Sequence, residues 1–138
     1  MDFDDLCEEA VKYDCFTLKF VPNEFLTDKL CNLAIRRNGY ALKYISEESR
    51  TYDLCKLAVR QNGTTLEYVP ERLKTETLCK LAVQQDGLAL AHVPNKLRTY
   101  DICELAVRKD NIAIYYVPII YKIINYMNYQ LGRKNWYM

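Results

Sequence analysis

The residues of this sequence most suited to chemistry are its six cysteines. Five of them stand 24 residues apart in near-identical phrases, such as "DLCKLAVRQNG" at 53–63 and "TLCKLAVQQDG" at 77–87. A cysteine can ligate a metal, form a disulfide or act as a nucleophile, and each role makes its own demand on spacing. The five regularly spaced residues are Cys7, Cys31, Cys55, Cys79 and Cys103.

Neither a metal site nor a disulfide framework fits this spacing. Zinc sites gather close pairs such as C-x-x-C, and the sequence has no such pair. Equivalent positions of stacked helices lie about 8–10 Å apart, beyond the Cα separation of about 7 Å that a disulfide tolerates. The opening residues, MDFDDLCEEA, lack a secretory signal, so we expect an intracellular protein with reduced thiols. The pattern favours thiols that pack as small hydrophobic side chains, with redox or metal roles as the alternative.

Cys15 departs from the regular spacing. It belongs to a set of equivalent positions, here called a column, whose other members are Gly39, Gly63, Gly87 and Asn111. We expect this column to take the left-handed conformation that ends a helix, which would strain a cysteine. Cys15 is therefore the candidate reactive thiol. The pattern favours a slightly altered turn in an end repeat over a chemical role for this residue.

The single histidine, His92, stands in an aromatic column, which predicts a packing role rather than a general base. The sequence has no Gly-rich phosphate loop, H-E-x-x-H motif or EF-hand loop, and no nucleophile that can be matched with a histidine and a carboxylate. We therefore predict no catalytic residue, no metal and no cofactor, and expect that the chain is not an enzyme. A thiol-based redox enzyme that uses Cys15 is the alternative. The other members of the aromatic column are Phe20, Tyr44, Tyr68 and Tyr116.

The elements that position these residues follow from the repeated unit, T-x-x-L-C-x-L-A-V-x-x-N/D-G-x-x-L-x-Y-V-P-x-x-L-K/R. The threonine can accept a hydrogen bond from a free N–H of a first helical turn, and acidic residues follow it there. Apolar residues with helical spacing then continue to the Asn/Asp-Gly pair, which predicts a helix of about ten residues. The threonines are Thr27, Thr51, Thr75 and Thr99.

The second half of the unit predicts a short helix through Leu66 and Tyr68, then a turn that Pro70 begins and that buries Leu73. A helix with a turn cannot enclose its own apolar face, so neighbouring units must stack. We predict one all-α domain, an α-solenoid with a C-terminal capping helix. The units are expected at about 4–27, 28–51, 52–75, 76–99 and 100–118, with the cap at 119–138.

The last segment, "IIYKIINYMNYQLGRKNWYM", departs from the repeat. An apolar stripe of helical spacing, ended by Gly132, predicts a helix that caps the stack. A docking helix is the alternative, since aromatic residues dominate contact energies at interfaces. The stripe consists of Ile120, Ile123, Ile124, Met127 and Leu131, and the aromatic residues are Tyr121, Tyr126, Tyr129, Trp136 and Tyr137.

At the other end no dedicated cap precedes the first unit, so either Phe3 with its acidic neighbours or another molecule must cover it. Residues 1–29 hold eight acidic and three basic residues, a net charge of −5, whereas residues 96–138 carry +4. This polarity allows head-to-tail contacts between copies, through the ends or the C-terminal segment. The net charge of the whole chain is only +1, and no apolar run approaches the roughly 18 residues of a membrane span.

Two sets of basic residues recur at columns expected to face solvent, and in a solenoid such variable positions carry binding. We predict a scaffold or adaptor that binds a protein partner, whose identity the sequence does not give. A nucleic-acid-binding protein that uses Arg36, Arg60 and Arg108 is the alternative. The candidate partner-binding residues are Arg36, Arg37, Arg60, Arg108, Lys109, Tyr126 and Trp136. The second basic column is Arg50, Lys74, Arg98 and Lys122.

The phrases "LCKLAVRQNGTTLEYVPERLKT" and "LCKLAVQQDGLALAHVPNKLRT" resemble a family of short helical repeats, domain of unknown function 4116, abundant in mimivirus-like giant viruses. The likeness covers about residues 4–118. It implies an interaction repeat in a viral protein of the host cytoplasm, viral factory or virion, and no catalytic residue can be carried over. The chain departs from the pattern at Cys15 and Asn111, which replace glycine, at Ser46, which replaces proline, and at Ser49, which replaces leucine.

Overall fold

The computed structural model of the chain describes residues 1–136. This part of the chain is 77% helical and contains no strand, so the predicted all-α solenoid is confirmed. Five α-helices repeat along the chain and a sixth follows them. They are α1 (Phe3–Tyr13), α2 (Asp28–Arg37), α3 (Tyr52–Gln61), α4 (Glu76–Gln85), α5 (Tyr100–Lys109) and α6 (Ile119–Gln130).

Each of α1 to α5 is followed by a six-residue 3₁₀ helix, and a three-residue 3₁₀ turn follows the first four of these. The longer ones are η1 (Cys15–Phe20), η3 (Gly39–Tyr44), η5 (Gly63–Tyr68), η7 (Gly87–His92) and η9 (Asn111–Tyr116). The short turns are η2 (Asn23–Phe25), η4 (Glu47–Ser49), η6 (Glu71–Leu73) and η8 (Asn95–Leu97). Leu73, which the sequence predicts this turn to bury, is half-buried against the core.

The predicted helix starts are confirmed. In α4 the hydroxyl of Thr75 accepts a hydrogen bond from the backbone N–H of Leu78 at 3.2 Å, and Glu76 places negative charge in the first turn. Each capping oxygen satisfies one backbone donor that the helix itself leaves free. The other threonines of this column, Thr27, Thr51 and Thr99, cap their helices in the same way.

The predicted left-handed ends of the repeated helices are wrong. Each of these helices ends at an extended Asn or Asp, such as Asp86 with φ −148°, whose carboxylate accepts from the N–H of Leu88 at 2.9 Å. Within residues 1–136, Gly132 after α6 is the one residue with a left-handed φ, at 67°. The strain argument for Cys15 therefore fails, because its column is not left-handed.

The glycines of that column are explained instead by the close approach of consecutive units. A Cβ on Gly39 would lie 2.8 Å from the carbonyl oxygen of Ala58 in the next unit, and one on Gly63 would lie closer still to that of Ala82. Because the opposing atom is backbone, a side chain there would force the units apart. Asn111 in the last unit is exposed, so the same constraint does not apply to it.

The core is a continuous seam that runs through all five units. In α4 the side chains of Leu78, Cys79, Ala82 and Val83 have no exposed surface, and their equivalents in α2, α3 and α5 are also buried. Small side chains at such a seam let neighbouring helices approach closely, as the cysteine pattern predicts.

The C-terminal helix α6 follows the last unit, but its apolar stripe points away from the stack. Ile120, Ile123 and Met127 are between 49% and 55% exposed, whereas Tyr121 packs on the core and Asn125 is buried. The expectation that the stripe itself covers the end of the stack is therefore wrong. The side of α6 that faces the stack is the one that carries Tyr121 and Asn125.

Candidate interaction surfaces

The thiols of this chain are core residues whose surroundings do not activate them. All six cysteines are free and buried. Burial raises the pKa of Cys31, Cys55, Cys79 and Cys103 to about 11. The thiolate that metal ligation or nucleophilic attack requires is therefore disfavoured at neutral pH.

Cys15 is buried like the others, with 8% of its surface exposed. Its pKa is raised, first by burial and then by the negative charge of Asp14. Its role as a reactive thiol stays a prediction, although the backbone does not strain it and the surroundings do not activate it. Within the described part of the chain, no three His, Cys, Asp or Glu residues come together in a way that could hold a metal ion.

His92 occupies the place that tyrosines hold in the neighbouring units. It is half-buried, and burial is the main cause that lowers the pKa of its imidazole. Its backbone carbonyl accepts a hydrogen bond from Nζ of Lys74 in the preceding unit at 3.0 Å. This environment is that of a packing residue in the solenoid.

The column of Arg50, Lys74 and Arg98 links each unit to the next. Nη1 of Arg50 donates to the carbonyl oxygen of Tyr68, 18 residues further on, at 2.7 Å, and Nη1 of Arg98 donates to that of Tyr116 at 3.0 Å. Nε of Arg50 also donates to the carbonyl of Ile45 in its own unit at 2.8 Å. We call Arg50, Lys74 and Arg98 the bridging column.

The sequence predicts that this bridging column faces solvent as a second basic surface, and that prediction is wrong. The side chain of Lys74 is only 7% exposed, and its ammonium group also pairs with Glu71 at 2.8 Å. The cationic groups of the column bind backbone carbonyls of the fold, so they are not available to an outside partner. The first unit lacks the bridge, because Leu26 stands in this column.

The other set of basic residues is exposed, as predicted. Arg36 and Arg37 lie in the last turn of α2, and Arg60 lies in the last turn of α3, where positive charge offsets the helix dipole. These three form no ion pair with any described residue. In α4 glutamines interrupt the set, and in α5 Lys109 is exposed while Arg108 pairs with Glu104 at 3.0 Å.

The aromatic residues of the C-terminal segment divide into two groups. Trp136 is only 4% exposed and its ring packs on that of Tyr100 with 4.9 Å between centroids, so it does not present itself to a partner as the sequence suggests. Tyr121 packs edge-on against the same ring. Tyr126 and Tyr129 are exposed, as a docking role requires. A further aromatic residue of the predicted group, Tyr137, lies outside the described residues.

A buried amide holds Trp136 in place. Oδ1 of Asn125, on the inner side of α6, accepts a hydrogen bond from the backbone N–H of Trp136 at 2.7 Å. The chain therefore folds back along α6 after Gly132, and the indole fills the space beside Tyr100. The sequence shows a signal for this contact only in retrospect, as an amide residue on the side of α6 opposite its apolar stripe.

One exposed apolar surface is the outer side of α6. Its members recur with helical spacing, so they share one side of the helix, and between 38% and 60% of each is exposed. We call this surface the α6 face, and it consists of Ile120, Ile123, Ile124, Met127 and Leu131. Among the helices of residues 1–136, α6 included, none is long and apolar enough to cross a membrane.

A second apolar surface lies at the opposite end of the solenoid. It forms an open groove of about 370 Å³. Leu6 is 52% exposed there, whereas its equivalents in the next four units are 3% exposed or less. We call this surface the N-terminal groove, and it is lined by Phe3, Leu6, Cys7, Ala10, Thr17, Phe20 and Val21.

Comparison with known proteins identifies the repeat. No curated protein and no solved structure gives a significant match to the chain. A family model of a repeat domain of unknown function matches residues 4–50, 29–74, 51–98 and 75–122 as four overlapping windows. Each window spans about two consecutive units, in agreement with the stacked helices described above. Because the windows together cover most of the chain, the protein belongs to the family described as a domain of unknown function, DUF4116.

Proposed function

We propose that this chain is a non-enzymatic scaffold or adaptor that binds a protein partner. The observation that carries the proposal is the exposed α6 face. Its five large apolar side chains lie on one side of α6, whereas Tyr121, on another side, packs against the core and Asn125 is buried. Contiguous apolar surface of this kind marks interaction sites in proteins, whereas single exposed apolar residues are ordinary.

Two exposed tyrosines on other sides of α6 support the same function. Tyr126 and Tyr129 combine a large apolar ring with a polar tip, and such side chains supply much of the energy at interfaces. Full burial of one isoleucine side chain contributes roughly 1.5–3 kcal/mol, so a few of these residues suffice for a specific contact.

The environment of the chemically reactive residues supports a role without catalysis. The thiols and His92 are engaged in packing, and the bridging column binds backbone carbonyls. The residues that remain on the surface of the repeats vary from unit to unit, which is the usual arrangement of binding solenoids.

A pull-down from cells that produce the protein tests this proposal. The parent chain, its Ile123→Glu variant and an exposed control variant, Lys96→Glu, are compared by quantitative mass spectrometry. We expect a protein that is recovered with the parent chain and the control, and at least about tenfold less with Ile123→Glu, because a charge disrupts the α6 face. Equal recovery with all three chains contradicts the proposal, as does recovery of no specific protein.

A second candidate function is binding of nucleic acid. It is favoured by the exposed guanidinium groups of Arg36, Arg37 and Arg60, which are free of ion pairs with described residues. Three phosphate contacts predict a logarithmic salt slope of roughly −2 to −3. Fluorescence anisotropy with an oligonucleotide at two salt concentrations measures this slope. Loss of binding in a triple Arg→Gln variant would favour this candidate, and no binding at low salt would exclude it.

The proposal includes the biological setting that the family resemblance implies, a giant-virus protein in the host cytoplasm, viral factory or virion. The excess of Ile, Asn, Lys and Tyr in the C-terminal segment, typical of AT-rich genomes, supports this setting. Immunodetection in fractions of infected cells and in purified virions tests it, and detection in neither contradicts it.

A further inference from the structure

The N-terminal groove exposes positions that every later unit buries. Leu6 and Ala10 are exposed, whereas Leu30 and Ala34 are almost completely buried in the second unit. The glycine contacts identify what covers the equivalent positions in later units. Gly39 of one unit lies against Ala58 of the next unit, and Ala58 is the equivalent of Ala10. The groove is therefore the surface on which a preceding helical unit would pack.

Phe3 does not close this groove. Its ring contacts Phe25 edge-on at 4.5 Å between centroids, but 48% of its surface is exposed. Phe20 is exposed to 76% on the other wall of the groove. Apolar walls around an open volume of about 370 Å³ fit the side chains of one helix.

At the other end the stack cannot simply continue with a further unit. The ring of Tyr100 contacts Tyr121 and Trp136, and Glu104 faces Nζ of Lys134 at 3.9 Å, so the C-terminal segment covers this side of α5. Asn111 stands in the glycine column and carries a Cβ. In the interior units a Cβ at this position would collide with a carbonyl oxygen of the following unit. The apolar surface offered at this end is the α6 face.

The charges of the two ends are complementary. Asp2 caps α1, and Asp4, Asp5 and Glu9 lie in the same helix as the groove residues Leu6 and Ala10. Glu9 also pairs with Lys12 at 3.3 Å. Helix α6 carries no acidic residue; it contains Lys122 and is followed by Arg133 and Lys134. Opposite charges favour contact between unlike ends and disfavour contact between like ends.

We propose that the α6 face of one copy of this chain packs into the N-terminal groove of a second copy. This proposal deepens the proposed function and rests on it, because the second copy is then the protein partner. The contact joins different surfaces, so a pair of copies keeps one free groove on one copy and one free α6 face on the other, and the assembly grows into an open chain or closes into a ring.

Sedimentation velocity of the whole chain over a range of concentrations tests this assembly. We expect species larger than a dimer at high concentration, and weaker association at high salt because screening reduces the attraction between the ends. Leu6→Glu and Ile123→Glu each bury a carboxylate in the apolar contact, and each is expected to weaken association at least about tenfold. Circular dichroism verifies that both variants fold, and Lys96→Glu, a substitution at an exposed turn, is the control.

A mixture of the two variants gives the decisive result. Leu6→Glu retains an intact α6 face and Ile123→Glu an intact groove, so equal amounts are expected to form a dimer of one copy of each and nothing larger. The two altered ends of that dimer both carry the new carboxylate, so they repel each other. Either variant alone associating as strongly as the parent chain overturns the proposal, because it indicates contact between like ends. A parent chain that stays monomeric also overturns the proposal. If such a monomer floats with anionic lipid vesicles, a membrane surface rather than a second copy covers the apolar surfaces, and the proposal is overturned in that case too.

The outcome for the proposed function is separate. A chain that stays monomeric but recovers a different protein through the α6 face refutes the assembly and leaves the scaffold function standing. A chain that stays monomeric and recovers no protein refutes both.

Discussion

The junction between the first and second units differs from the junctions inside the stack. At the interior junctions a glycine allows the backbones to approach, and an Arg or Lys of the bridging column binds a carbonyl of the next unit. At the first junction Cys15 stands in the glycine column and Leu26 in the bridging column. All junctions share the apolar seam, whereas the glycine and the bridging Arg or Lys occur only at the interior junctions.

This difference indicates that two units can stack without the glycine and the bridge, since α1 packs on α2 through the apolar seam and the ion pair of Lys29 with Glu8 at 2.7 Å. The glycine and the bridge then set how closely and how firmly the interior units are joined. Substitutions at matched positions of the two kinds of junction measure these contributions separately.

The largest effect is expected from Gly63→Ala. The added methyl group would collide with the carbonyl oxygen of Ala82, which cannot rotate away, so we expect a loss of about 3 kcal/mol in the free energy of unfolding. Urea denaturation followed by circular dichroism measures it. The matched control is Asn111→Ala in the same column, where the position is exposed and a change within about 0.5 kcal/mol is expected. Equal losses in both variants would contradict the close-approach explanation.

The next largest effect is expected from Arg50→Met. This change removes the donors to the carbonyls of Tyr68 and Ile45 and leaves the aliphatic part of the side chain, with an expected loss of about 2 kcal/mol. The control is Leu26→Met, at the column position that has no bridge, with an expected change below about 1 kcal/mol. Thermal unfolding of both variants checks the difference. An Arg50→Met chain as stable as its parent would contradict a stabilising role of the bridge.

A smaller effect is expected in the labelling of the thiols. A buried thiol of pKa about 11 reacts with an alkylating reagent at pH 8 only when the structure opens, so the rate reports local stability. We expect Cys15, at the junction without glycine or bridge, to be labelled about tenfold faster than Cys55, a difference of roughly 1.4 kcal/mol in opening. Mass spectrometry of timed samples gives both rates. Equal rates would show that the two kinds of junction open alike and would also end the case for Cys15 as a reactive thiol.

The smallest effect is a gain. Leu26 has φ −78° and ψ 81°, close to the values of Lys74, so an arginine placed there can reach the carbonyl of Tyr44. We expect Leu26→Arg to stabilise the chain by about 0.5 kcal/mol, because the new hydrogen bond is partly offset by lost apolar packing. Leu26→Gln is the control, because glutamine loses the apolar packing of leucine but is too short to reach the carbonyl of Tyr44. We expect this variant to be less stable than the parent chain. If Leu26→Arg destabilises the chain as much as Leu26→Gln does, the bridge cannot be transferred to the first junction.

Much of the fold can be predicted from the sequence because its signals are local. A threonine cap, an acidic first turn and apolar spacing act within a few residues, and they predict the starts of α2 to α5 correctly. The buried cysteines follow from the same reasoning, since equivalent residues of stacked helices share one environment.

The remaining features depend on contacts between units, which local patterns do not contain. A glycine after a helix usually indicates a left-handed residue, but Gly39 is required by the carbonyl of Ala58 across the junction. A column of basic residues is typical of a solvent-facing surface, and only the structure places Arg50 against Tyr68. The strict 24-residue recurrence of the bridging column is the one signal that could have pointed to a structural role.

The candidate surfaces are the part that the sequence predicts least well. Periodicity identifies the apolar stripe of α6 but not the direction in which it points, because packing of Tyr121 and Asn125 decides that. Residue type alone suggests Trp136 as a partner-binding residue, and it is instead buried against Tyr100.

The bridge between units ends on main-chain oxygen, and every amino acid supplies that atom. Tyr68, His92 and Tyr116 serve equally well as acceptors although their side chains differ. A unit therefore does not need to recognise the identity of its successor, and excision of residues 52–75 would bring Arg50 to the carbonyl of His92. We therefore expect loss or duplication of a whole 24-residue unit to leave a bridge at the new junction wherever Arg50, Lys74 or Arg98 precedes it.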